Sequence, residues 1–103
     1  MKIIRDLIEM IEDELEGALS YAKGAVDLKE SEPAIASTFN EIANQDMHPV
    51  NLLHDRVSET IRKHRDRDGE PPAPMMAVYE YLHKRNIDKA AEVKRYLELY
   101  KGQ

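Results

Sequence analysis

The sequence predicts an all-α fold: an antiparallel bundle of three long helices, with the third open to division in two, in one domain over residues 1–103. Three observations carry this expectation. Charged residues make up 34% of a chain with only 4 glycines, and alanine, leucine, glutamate and lysine are plentiful, a composition that favours helix. Only two stretches read as breaks. Between them the apolar residues recur at helical spacing. A chain of 103 residues suits a single domain with a modest core.

The breaks set the element bounds. "KESEP" (29–33) offers Ser31 as an N-cap and Pro33 at an early helical position. "RDGEPPAP" (67–74) offers Gly69 as a C-cap with three prolines behind it. Helical segments are therefore expected over Lys2–Glu30, Glu32–Asp68 and Ala73–Lys101. Short connections make sequential helices antiparallel neighbours.

The first segment carries a heptad stripe: Ile4, Ile8, Ile11, Leu15, Ala18, Ala22 and Ala25. Beside it runs a second column of Leu7, Glu14, Tyr21 and Leu28. Glu14 is its only charge. It is either an edge residue reaching for water or a carboxylate aimed inward, where it would need a metal, a cation or a proton.

The second segment steps through Ile35, Phe39, Ile42, Asp46, Val50, Leu53, Val57, Ile61 and His64. The pattern runs straight through Pro49, so a kinked helix with a bulge or opened turn is expected there. Proline removes its own N–H and crowds the carbonyl of Gln45, at a cost of ~3 kcal/mol or more. It also pushes His48 away from helical geometry. Asp46 falls in the apolar column one turn before. It reads either as a cap for backbone groups freed at the kink or as an inward metal carboxylate.

The third segment presents Met75, Tyr79, Leu82, Asn86, Ala90, Val93, Leu97 and Tyr100 on one face. "RNID" (85–88) is a candidate break, with Asp88 able to cap a new helix. Glu80 and His83 stand at i, i+3, a spacing that lets two side chains reach one ion. The same spacing arises by chance on any charged helix edge. Met75, Met76, Tyr79 and Tyr81 form an apolar cluster after the proline turn. It reads as core packing, with any exposed part marking a subunit contact.

The totals exclude several function classes. Cysteine is absent, which removes disulfides, thiolate metal sites and a cysteine nucleophile, and is compatible with a cytoplasmic setting. The charge-interrupted "MKIIRDLIEMIEDELEG" is neither a signal peptide nor a membrane span. A net charge of −5 argues against nucleic acid, and "RKHRDRD" (62–68) reads as cations complementing a helix C-terminus. No glycine-rich phosphate loop or nucleophile–base arrangement is present.

"EDELEGALSYAKGAVDLKESEPAIASTFNEIANQDMHPVNLL" (12–53) resembles the helix pair of the ferritin-like superfamily, of the rubrerythrin and encapsulated-ferritin type. Glu14 followed by Tyr21 is similar to that family's first-helix Glu and aromatic. "QDMHPVNLL" lies on its Glu-x-x-His-Ala-x-x-Leu, with Asp46 on the Glu, Pro49 on the His, Val50 on the Ala and Leu53 on the Leu. The resemblance implies a site for iron or another divalent metal, built in half-ferritins between two subunits. The departures are the shorter Asp46 and Pro49 in place of the His ligand. His48 substitutes only if the kink turns it inward. The C-terminal half, "EPPAPMMAVYEYLHKRNIDKAAEVKRYLELYK", is similar to small uncharacterised proteins of bacterial phages and prophages.

Helix levels limit what one chain assembles. The first two helices meet where residue numbers sum to about 63, which sets Glu14 level with Asp46. The second and third meet at a sum of about 141, roughly 15–20 Å further along for Glu80 and His83. His54 and His83 are closer in height and could pair. Two functions follow as expectations. One is a non-enzymatic interaction protein with a degraded di-metal site, forming a homodimer or larger assembly because columns such as Leu7–Leu28 and Leu19–Val26 stay exposed, and meeting an unknown protein partner. The other is a metal-binding, ferroxidase-like protein that uses Glu14, Asp46 and His48 across a subunit interface, with Glu80 and His83 as a further pair.

Overall fold

Helix formation follows the two predicted breaks closely. The computed structural model describes residues 2–102. Within them lie α1 (Lys2–Leu28), α2 (Pro33–Asp68) and α3 (Ala73–Tyr100), with no strand among the described residues. The bundle is rod-like, 55 × 20 × 19 Å, its length matching the ~54 Å of a 36-residue helix such as α2.

The ends of the helices answer to local chemistry. Pro33 opens α2, where its missing N–H costs nothing. The residue before it is Glu32, outside helical geometry at φ −139° and ψ 69° and without a side-chain cap. Ser31 is therefore not the N-cap, because the helix starts one residue later than that reading requires. Gly69 ends α2 at φ 81° and its N–H donates to the Arg65 carbonyl at 3.1 Å. A left-handed residue there is what glycine supplies at no steric cost.

α2 continues as one helix through Pro49, as its unbroken apolar pattern required. α3 is also a single helix, so the candidate break at 85–88 does not form. The stretch is held from α1: Arg85 reaches Glu12 at 2.6 Å and Lys89 reaches Glu16 at 2.7 Å, while Asn86 between them is buried. Lys89 also keeps the Glu16 carboxyl below its ordinary range, chiefly by its hydrogen bond and then by its charge.

These pairs, with Lys23 near Glu92 and the Lys29 ammonium on the Tyr100 carbonyl, run α3 parallel to α1. α2 runs antiparallel, since Gly17 meets Asp46 and Gly24 meets Phe39. α1 packs against both other helices along its length. Its buried stripe is Ile4, Ile8, Ile11, Leu15, Ala18, Ala22 and Ala25, the heptad read from the sequence.

The α2 stripe is shifted from the expected one. Ala36, Ala43, Val50, Val57 and Ile61 are buried, while Ile35 is 45% exposed and Phe39, Ile42, Asp46 and Leu53 are half-buried. The cause lies in α1. The buried stripe of its upper half is Ala18, Ala22 and Ala25, so the small Ala36 and Ala43 fit against it at close approach, while the Phe39 ring lies over Gly24.

Candidate functional site

The sequence-predicted metal residues fall into separate environments. Glu14 on α1 and Asp46 on α2 are both half-buried. They lie on adjoining levels, because an Asp46 carboxylate oxygen sits 3.7 Å from where a side-chain carbon of Gly17 would stand, and Gly17 is one turn beyond Glu14. Neither carboxylate has an ion pair or hydrogen-bonding side chain among the described residues. His48 is exposed: on an unbroken α2 it points away from the stripe that Val50 and Ala43 occupy.

On α3, Glu80 is exposed and His83 is half-buried. The His83 ring stacks between two others, 5.2 Å from His54 on α2 and 5.5 Å from Tyr79 on its own helix. Burial, and then the neighbouring His54, push the His83 imidazole below its usual pKa. Burial raises the Tyr79 phenol. The His54–His83 stack is thus an aromatic contact where α2 and α3 meet.

Taken over the described residues, no three His, Asp or Glu side chains of one chain come close enough to share an ion. A di-metal centre of the ferritin-like kind draws on four carboxylates and two histidines, so the donors present do not fit it within one chain. The arrangement a single chain does make is a pair of half-buried, unpaired carboxylates on the outer side of the α1–α2 pair.

That side is also apolar. On α1, Ile3, Met10 and Tyr21 are 55%, 53% and 36% exposed, and their spacing of 7 and 11 residues sets them on one face. Tyr21 meets Phe39 of α2 edge-on at 5.4 Å, and exposed Ile35 lies one turn before Phe39. Leu7, Leu19, Val26 and Leu28, expected to stay exposed, are half-buried. Leu7 and Leu19 pack onto the core, so Tyr21 is the exposed apolar member of the Leu7–Leu28 column, and Ile3 and Met10 extend that face toward the start of α1. The signal for it was available in Ile3 and Met10, one heptad apart.

No protein-family model matches the chain, and neither a curated protein nor a solved structure matches it significantly. No helix among the described residues is long and apolar enough to cross a membrane.

Proposed function

We propose that this chain is a non-enzymatic helical-bundle protein that works by association, first with copies of itself and through them with a protein partner, on a ferritin-like frame whose metal ligands are incomplete. The exposed row Ile3, Met10 and Tyr21 carries this reading. Exposed apolar side chains repeated along one helix face of a small domain mark an interaction surface, and such a face can meet its own copy across a two-fold axis. Pro49 in place of the family's His supports the loss of metal. The test is sedimentation velocity of the chain and of Met10→Glu. A wild-type dimer that becomes a monomer of unchanged helicity is the expected result. A wild-type chain that is monomeric at every concentration refutes the reading.

A second reading is favoured by one observation, the unpaired and half-buried carboxylates of Glu14 and Asp46. Burying a charge without a partner is costly. In this reading a homodimer sets two such pairs face to face around iron or another divalent ion, with His48 available at the edge and Glu80 with His83 as a separate pair. Oxidation of Fe(II) would be its activity. Native mass spectrometry with anaerobic Fe(II) decides it: a fixed number of ions per dimer, lost in Glu14→Gln, is the outcome required.

A further inference from the structure

At the end of the bundle remote from the α1–α2 turn, the three helices enclose a cleft of about 230 Å³. Ile4 and Ile8 of α1, Ile61 of α2, and Met76, Tyr79 and Leu82 of α3 form its walls. Pro71, in the connection that ends where α3 begins at Ala73, also lines it.

Two properties of this cleft point to one class of occupant. The first is size. Apolar cavities of about 150 Å³ stay dry and take benzene, so by proportion this one takes an apolar body of about eight or nine carbons. It falls below the ~300 Å³ at which pockets for larger ligands begin. The walls suit such a body, since methionine is flexible and polarizable and adapts to irregular shapes.

The second is charge. In a chain of net charge −5, the charged residues lining the cleft are both cations, Lys2 and Arg5. Lys2 is engaged by Asp6 at 2.6 Å. Arg5 is exposed and has no ion pair among the described residues. A guanidinium at the lip of an apolar cleft offers two parallel donors to a carboxylate.

We propose that this cleft is a binding site for a medium-chain aliphatic monocarboxylate, with its chain between Ile8, Met76 and Leu82 and its carboxylate on Arg5. The site is independent of the association face and of any metal. Arg5 is exposed, so solvent screening limits its pull on a carboxylate, and about a two- to fivefold preference over an uncharged ligand of equal length is expected.

The test is a titration of the full chain, carrying 13C-methyl methionine, with octanoate and with octan-1-ol. The expected result is saturable shifts of the Met75 and Met76 methyls with octanoate, while Met10 and Met47 stay in place. Octanol binds about two- to fivefold more weakly. Arg5→Gln brings octanoate down to the octanol level and leaves octanol unchanged. Val78→Trp, at a lining position that is 55% exposed and so tolerant of a larger side chain, closes the cleft and abolishes both. Equal affinity for octanoate and octanol, or no effect of Arg5→Gln, overturns the proposal. So do methionine shifts that follow protein dilution instead of added octanoate, which would make the cleft a contact between copies.

Discussion

Gly24 and Phe39 touch so closely that a side-chain carbon at Gly24 would stand 2.8 Å from the Phe39 ring. At Gly17, two turns earlier on the same helix, the nearest atom is an Asp46 oxygen at an ordinary 3.7 Å. The two glycines therefore predict opposite outcomes. Gly24→Ala forces the Phe39 ring off its edge contact with Tyr21 and should destabilise by about 1–3 kcal/mol, the usual cost of overpacking. Gly17→Ala gains helix propensity and should stabilise by roughly 0.5–1 kcal/mol. Urea unfolding of both variants measures the difference.

Pro49 sits inside a continuous α2. Pro49→Ala restores the N–H that can bond the Gln45 carbonyl and relieves the clash with it. Stability should rise, by up to about 3 kcal/mol on the scale of proline in a helix interior. A higher urea midpoint with an unchanged slope is the expected reading. A fall in stability would mean that α2 depends on the geometry that proline imposes.

His83 makes stability depend on pH. Its pKa in the folded chain lies below the ordinary 6.5 through burial and the adjacent His54. The unfolded chain therefore binds more protons wherever the two pKa values differ. Stability is complete above about pH 6.5, falls as pH drops below it, and levels off under the folded pKa. Unfolding curves at pH 7.5 and 5.5 test this. His83→Phe keeps a ring between Tyr79 and His54 and should flatten the dependence.

The Glu12–Arg85 pair spans α1 and α3 at 2.6 Å, with Arg85 half exposed. Solvent screening limits its worth, and a double-mutant cycle of Glu12→Gln and Arg85→Gln should return about 0.2–1 kcal/mol, shrinking in high salt. A coupling several times larger would show that these bridges, more than the apolar stripe, hold α3 in place.

Asn40 has a buried side-chain carbonyl oxygen with no hydrogen-bond partner among the described residues. An unsatisfied buried acceptor costs about 1–3 kcal/mol. Asn40→Leu should raise the thermal midpoint, measured by circular dichroism, while helicity stays the same.

The sequence by itself determined the helices and the inner face of α1. A heptad of Ile4, Ile8, Ile11 and Leu15, and breaks marked by Pro33, Gly69 and Pro71, depend on local periodicity and backbone chemistry, which a linear reading captures. The level of Asp46 against α1 was legible for the same reason, because a short turn fixes the register of two antiparallel helices. Tertiary structure decided the rest. Which side of α2 is buried depended on how closely its backbone approaches α1, and that distance was set by Ala18, Ala22 and Ala25 on the other helix. Hence Ala36 and Ala43 went inside and Ile35 stayed out, against their hydrophobicity. α3 runs unbroken through Arg85 and Lys89, where Glu12 and Glu16, more than sixty residues away in the chain, meet it. The cleft beside Arg5 exists only because three helix ends from distant parts of the chain meet there, and no local pattern encodes the gap they leave.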